Sequence, residues 1–213
     1  MVTFILERHG QTEANKAGVF AGRLDVELTE LGRTQAKIAA DYIARTFKID
    51  KIYTSTLKRA YETGKVVADK LGMEVIADKE LCEINGGDWE NAPFDELEIK
   101  CAEEYSVWLK DIGKATCTGG ESVKEMGERI VRRLSEIAEE NDGKTILVAF
   151  HATPIRVMQC VCKNIPIEDM RKVNWVANAS ISIVTYDNGK WTMELESYDK
   201  HLGELKTVLP ANV

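Results

Sequence analysis

Apolar residues gather in short runs along this chain, and polar or glycine-rich punctuation sorts those runs into strands and helices. Residues 2–6, Val-Thr-Phe-Ile-Leu, form a β-branched and aromatic run closed off by Gly10, which predicts a buried first strand. Leu28-Thr29-Glu30-Leu31-Gly32 opens a long helix, with Thr29 as its N-cap and Leu31, Ile38, Tyr42 and Ile43 as its apolar stripe. Residues 49–53 read as a second strand. Ser55 or Thr56 caps the next helix, which runs through Ala60, Val66, Val67 and Leu71 to a stop at Gly72. Val75 and Ile76 make a short third strand. Residues 81–120 lose this regularity and become irregular and helical, with Trp89, Pro93 and Trp108 among them. A helix follows over residues 122–140. Residues 145–150 are the clearest buried strand, and after His151 a helix opens at Thr153-Pro154, with proline in its first turn. Residues 180–186 and 190–195 flank Asp187-Asn188-Gly189, a hairpin signal. Beyond Tyr198 no pattern is legible.

Strands that alternate with helices predict an α/β fold: a three-layer αβα sandwich with a mainly parallel sheet and one antiparallel edge strand. The irregular stretch at about 85–120 is then a helical insertion over the ligand crevice. The 213 residues fit one domain, 1–213, able to bury roughly 70–75% of its unfolded surface without a staple. The five cysteines are odd in number and scattered, which points to reduced thiols and a cytoplasmic protein. Cys160-Val-Cys162 has neither redox nor zinc spacing, and with only three histidines no metal site and no cofactor are expected. No basic stretch precedes the first apolar run, and no run is long enough to span a bilayer, so no membrane partner is expected. A formal charge of −7 argues against nucleic acid. A small anionic substrate would need a local arginine cluster, with Arg8, Arg23, Arg59 and Arg156 as candidates. The hairpin edge could pair with a second copy or stay solvated, which leaves monomer and homodimer both open.

The chemistry concentrates at strand ends. Arg8 and His9 leave the first strand at its carboxyl end, where open α/β sheets keep their crevice, and His151 follows a later strand in the same way. Arginine suits forked phosphate recognition, and a neutral imidazole is a nucleophile near pH 7. Taken alone, either histidine is better read as a strand cap; the coincidence of both with flanking arginines favours phosphoryl chemistry. His201, in a polar tail, reads as a surface residue. Arg59 lies in the first turn of a helix, where dipole and side chain both favour an anion, although an exposed helix charge fits equally well. Arg156 sits one turn into the helix after His151 and is similarly ambiguous. Glu83 is a candidate proton donor for a leaving alkoxide, with Glu80, Asp88 and Glu90 as competitors. Gly119-Gly120-Glu121-Ser122 reads first as a helix cap.

These stretches resemble the histidine phosphatase superfamily, also called phosphoglycerate mutase-like. The resemblance is carried in order by Leu6-Glu7-Arg8-His9-Gly10-Gln11-Thr12 with Asn15, by Gly22-Arg23-Leu24-Asp25 through Leu28-Thr29-Glu30-Leu31-Gly32, by Thr54-Ser55-Thr56-Leu57-Lys58-Arg59-Ala60 with Thr63, and by Phe150-His151-Ala152 with Ile155-Arg156. Leu81-Cys82-Glu83-Ile84 and Gly120-Glu121-Ser122 add weaker matches. The resemblance implies that His9 is a nucleophile that becomes phosphorylated. It further implies that Arg8, Arg59 and His151 surround the phosphoryl group and that Glu83 is acid and base. Asn15, Gln11, Thr12, Arg23 and Ala152 would bind substrate. The chain departs from the family pattern at Ala152, where glycine is common, and at Gln11, where glutamate is commoner; neither removes a charged catalytic group.

The activity this implies is a metal-independent phosphomonoesterase that works through phosphohistidine on a small phosphorylated metabolite. The rival is a cofactor-dependent phosphoglycerate mutase. Mutases of the family resemble Glu-Arg-His-Tyr-Gly around the acid, whereas Glu83-Ile84-Asn85-Gly86-Gly87-Asp88-Trp89 resembles the phosphatase branch. A non-catalytic phosphoester-binding module is a further alternative, against which stand both His9 and Glu83. Specificity is expected from residues 85–120, where Trp89, Phe94, Tyr105 and Trp108 form either an apolar wall or a small core; Trp108 reads as core.

Overall fold

A computed structural model describes residues 1–207; the remainder of the expected 1–213 domain lies outside the described residues. Six strands form one sheet in the order β3-β2-β4-β1-β5-β6. They are β1 (Val2–Arg8), β2 (Lys51–Ser55), β3 (Val75–Asp78), β4 (Thr145–Phe150), β5 (Ile181–Asp187) and β6 (Lys190–Tyr198). The first four run parallel. The antiparallel edge is a hairpin: β5 runs against β1, and β6 against β5. Asn188 and Gly189 turn that hairpin with φ of 49° and 79°, as its sequence signal requires.

Helices α2 (Glu30–Thr46) and α3 (Lys58–Leu71) cover one face, where Ile43 and Val67 pack with Ile5, Ile52 and Leu147. Helices α6 (Val123–Glu139) and α7 (Ala152–Cys162) cover the other, where Ile130, Leu134 and Ile155 pack with Phe4, Leu6 and Val148. The fold is thus the expected α/β sandwich. A five-residue helix α1 (Glu13–Ala17) follows β1, and α4 (Phe94–Lys100) and α5 (Ala102–Asp111) lie in the irregular stretch.

Thr29 caps α2 by accepting from the Gly32 amide (3.0 Å), and Gly72 ends α3 in the left-handed region. Two local expectations fail. Neither Ser55 nor Thr56 takes the N-cap of α3, which is Leu57; the Lys58 amide is satisfied from a distance by Asp25 Oδ1 (2.8 Å). The buried face of α2 is Gly32, Gln35, Ala36, Ala39, Ala40 and Ile43, so of the expected stripe only Ile43 is fully covered. Small residues let α2 lie close, as large ones would not. Helix α7 begins at Ala152, one residue before Thr153, with Pro154 in its first turn as expected.

Strands β1 and β4 are central neighbours, but β1 leads to α2 on one face and β4 to α7 on the other. The topology therefore switches between them, and a crevice opens at their carboxyl ends.

Candidate active site

His9 and His151 stand at this switch point. The backbone amide of His9 donates to Phe150 O (3.1 Å), and its carbonyl accepts from Asn178 Nδ2 (3.1 Å) and the Ala179 amide (3.2 Å). Gly10 then turns the chain away against α2. A Cβ on Gly10 would stand 2.3 Å from Gly32 O, and one on Gly32 would stand 2.0 Å from Gln11 O. Only glycine at both places allows this backbone-on-backbone contact.

The tautomer of His9 follows from its two partners. Nδ1 lies 2.8 Å from Gly10 O, which can only accept, so Nδ1 carries the proton. Nε2 faces Arg59 Nε at 3.2 Å, which can only donate, so Nε2 presents its lone pair. Burial, with Arg59 and Arg8 nearby, holds the imidazole pKa well below its ordinary value. His9 is neutral.

Arg59, 1% exposed in the first turn of α3, is aimed by two carbonyls: Nη2 donates to Gly22 O (2.7 Å) and Nη1 to Leu24 O (2.8 Å). The Gly22–Leu24 loop thus holds Arg59 in place. Arg8 donates from Nη1 to Val176 O, and its guanidinium lies 5.7 Å from the centre of the Trp175 ring. Burial lowers its pKa to about 10, so it stays charged near neutrality. Arg156 lies 4.9 Å from the same indole and donates to Met170 O (3.2 Å). Both guanidiniums thus lie against the Trp175 ring, and Arg156 does so from outside the pocket lining.

His151 is fully buried at the N-cap of α7, its ring 5.3 Å from that of His9 and edge-on, and neither ring nitrogen has a partner. Burial, then the positive charge of Arg59, depresses its pKa well below the ordinary histidine value. Glu83 reaches the pocket between two amides: Oε1 accepts from Ile84 N (2.8 Å) and Oε2 from Thr153 N (3.3 Å). Burial raises its pKa, against opposition from those donors and Arg59. Asn15 and Thr12 form the capping box of α1, and Asn15 Oδ1 also accepts from Asn178 Nδ2 (3.2 Å).

One pocket collects these groups apart from His151, which is fully buried beside His9 and is not among the lining residues; the pocket has about 600 Å³ of empty space including its open mouth. Arg8, His9, Thr12, Asn15, Arg59, Glu83 and Ala152 line it. Two expected substrate contacts do not. Gln11 turns away, its Oε1 accepting from Thr29 Oγ1 (2.9 Å), and so ties β1 to the cap of α2. Arg23 lies at the rim, its Nε 3.4 Å from Glu83 O and its Nη2 3.4 Å from Glu121 Oε2. The acid competitors are excluded by placement: Glu80 pairs with Arg132, Glu90 accepts from the Arg23 and Gly86 amides, and Asp88 is exposed.

The aromatic residues divide. Trp89 and Tyr105 are core, but Phe94 and Trp108 line the pocket while packing on Phe20, so Trp108 serves both purposes. His201, expected at the surface, is half-buried and stacks on Tyr42 (5.1 Å) and Tyr198 (5.6 Å). Sequence reasoning missed Trp175 and Asn178, which sit in a stretch without periodicity; a tryptophan flanked by polar residues outside any element was the only signal.

The histidine phosphatase superfamily (branch 1) matches residues 4–198, and the chain belongs to it, as a phosphatase. Phosphoserine phosphatase 1 of Hydrogenobacter thermophilus is 31% identical over 204 residues, covering 96% of each chain. Among solved structures, Bacillus stearothermophilus YhfR superposes with a TM-score of 0.90 at 25% identity, over 95% of this chain and 100% of that one. A mycobacterial glucosyl-3-phosphoglycerate phosphatase in complex with VO3 superposes at 0.83 with 26% identity, over 92% and 99%. Among the described residues no helix is long and apolar enough to cross a membrane.

Proposed function

We propose that the protein hydrolyses small phosphomonoesters through a phosphohistidine on His9. The observation that carries this reading is the forced tautomer: Gly10 O takes the Nδ1 proton and leaves Nε2 as a lone pair beside Arg59. Nε2 attacks phosphorus, the P–O bond to the alcohol breaks, and Glu83 gives its proton to the departing oxygen. Water then attacks the phosphohistidine and loses a proton to Glu83. The P–N bond breaks, and inorganic phosphate leaves with the lone pair restored to Nε2. Arg8 and Arg59 neutralise the phosphoryl oxygens, with a ring N–H of neutral His151 and the amide of Asn15 as further donors. Because guanidiniums supply the positive charge, no divalent metal is required.

The pocket wall narrows the alcohol. Beyond the phosphate end its lining includes Val19, Phe20, Ile84, Phe94, Trp108 and Trp175; among the described residues the arginines that line it, Arg8 and Arg59, belong to the phosphate end, and Arg23 stands at the rim. An apolar or aromatic alcohol fits this wall better than one carrying a carboxylate.

The test is rapid-quench labelling with a ³²P ester, where an acid-labile, base-stable adduct should appear on His9. His9→Ala should lower turnover by roughly three orders of magnitude or more. Chelator should leave the rate unchanged, and vanadate, as a five-coordinate phosphorus mimic, should inhibit. Near-normal turnover by the alanine variant, or loss of activity in chelator, would refute the mechanism. Isomerisation of 3-phosphoglycerate stimulated by 2,3-bisphosphoglycerate would favour the mutase reading instead.

A further inference from the structure

Glu83 sits on a segment without regular structure, yet its carboxyl must hold one orientation to protonate a leaving group. Its support comes from α6. Arg129 Nη1 donates to Glu80 O (2.7 Å) and Cys82 O (3.0 Å), and Nη2 lies 3.4 Å from Glu83 O. The same guanidinium pairs with Glu121 through Nε–Oε1 (3.0 Å) and Nη2–Oε2 (2.9 Å), and their side chains are only 11% and 15% exposed. Glu121 Oε2 in turn accepts from the Asn85 amide (3.1 Å), and the Glu121 amide donates to Asn85 O (2.9 Å).

One ion pair therefore grips carbonyls 80, 82 and 83 from one side and residue 85 from the other. The contact is tight: a Cβ on Gly87 would stand 2.3 Å from Thr118 O, and one on Gly120 would stand 2.3 Å from Asn85 O. Arg133 holds Asp78 (2.6 Å) and Arg132 holds Glu80 (2.6 Å), so α6 anchors the whole strand-to-loop segment.

We infer that Arg129 and Glu121 are positioning residues for the reaction: a largely covered clamp that fixes the acid loop and so aims the Glu83 carboxyl at the leaving oxygen. The inference rests on the reading of Glu83 as general acid. Neither residue lines the pocket, so substrate binding does not depend on them directly. A forked guanidinium is needed, because a lysine ammonium cannot span several carbonyls and a carboxylate together.

The experiment measures kcat/KM on a series of phosphate esters from an alkyl phosphate, through phenyl phosphate, to 2,4-dinitrophenyl phosphate. The last leaves without a proton and needs no aimed acid. Arg129→Met should lose roughly 10–100-fold on the alkyl ester and less than about threefold on the dinitrophenyl ester, steepening the dependence on leaving-group basicity. Glu83→Gln should show the same pattern at larger amplitude, and Arg129→Lys should fall between wild type and Arg129→Met. If Arg129→Met melts below assay temperature, Glu121→Gln is read in its place. A loss equal for every ester would mean a merely structural role and overturn the clamp, as would no loss at all. A wild-type protein inactive on every ester would overturn the hydrolase reading itself, and the clamp with it.

Discussion

A neutral imidazole flanked by two guanidiniums resists protonation, because each added proton would sit in a buried and already positive site. The acid limb of kcat/KM should therefore lie below the ordinary histidine range, since His9 is held low by burial, Arg59 and Arg8. Glu83 is pushed the other way by burial, so an alkaline limb should appear above the ordinary carboxylate range, where the acid loses its proton. The expected profile on alkyl esters is a bell whose alkaline side disappears in Glu83→Gln; a bell unchanged by that substitution would remove Glu83 from the role. Glu7 is a second buried acid with a different meaning. It lies in β1 between Ala149 and Ile181, fully buried, with no partner for either oxygen, and burial raises its pKa well above 4.5. A raised carboxyl pKa means stability is intact below the unfolded value and is lost as pH rises toward the folded one. Glu7→Gln should therefore match wild type in Tm near pH 4 and exceed it increasingly toward neutrality, at about 2–4 °C per kcal/mol. A constant Tm gap across pH would show that Glu7 is not carried neutral. At this scale the sequence drew attention to Arg8, His9, His151 and Arg59 because they stand at strand ends or a helix start, whereas Glu83, on a segment without regular structure, was set apart from Glu80, Asp88 and Glu90 only by the family resemblance. Trp175 was invisible, since its contact with both Arg8 and Arg156 depends on a loop arriving from far along the chain.

Elements were legible wherever their ends carried chemistry of their own. Thr29, Gly72, Ser122 and the Asn188-Gly189 turn all perform the tasks their types suggest. The helix after β2 was mis-capped because its capping carboxylate, Asp25, comes from a loop more than thirty residues earlier. The buried stripe of α2 is hidden from a reading of large apolar residues, because alanine and glycine do most of the packing there. That close approach makes its own prediction. Gly32→Ala would place a methyl 2.0 Å from Gln11 O, a backbone atom that cannot swing aside. The expected cost is about 1–3 kcal/mol or more from overpacking, a fall of roughly 2–4 °C in Tm per kcal/mol, with kcat lowered as His9 shifts. Gly143→Ala is the control: no atom lies within 4 Å of its Cβ, and only its φ of 75° is strained. If both variants melted alike, the backbone contact would not be what fixes the loop after β1.

Across the whole molecule, two requirements meet in one crevice. The switch between β1 and β4 brings together two histidines far apart in the chain, and the irregular stretch lays aromatic surface beside them. The first was readable in part, because each histidine directly follows a predicted strand; the second was not, because a tryptophan at helical spacing looks the same whether it faces a core or a cavity. Trp108 faces both, 6% exposed and edge-on to Phe20 at 5.1 Å. A wall of this kind discriminates by the alcohol and not by the phosphate. Truncating it should therefore weaken apolar substrates selectively. Phe94 is the position to choose, because it is only half-buried and the core beneath it stays filled by Phe20, Trp89 and Trp108. Phe94→Ala should raise KM for an aryl phosphate about 5–30-fold, from loss of roughly 1–2 kcal/mol of apolar contact, with kcat little changed. KM for a phosphoserine-like ester, whose charged leaving group gains nothing from the ring, should stay within about twofold of wild type by the same reasoning. Equal rises for both esters would mean that Phe94 shapes the phosphate end, and a wild-type preference for the carboxylate-bearing ester would mean that the wall does not select the alcohol.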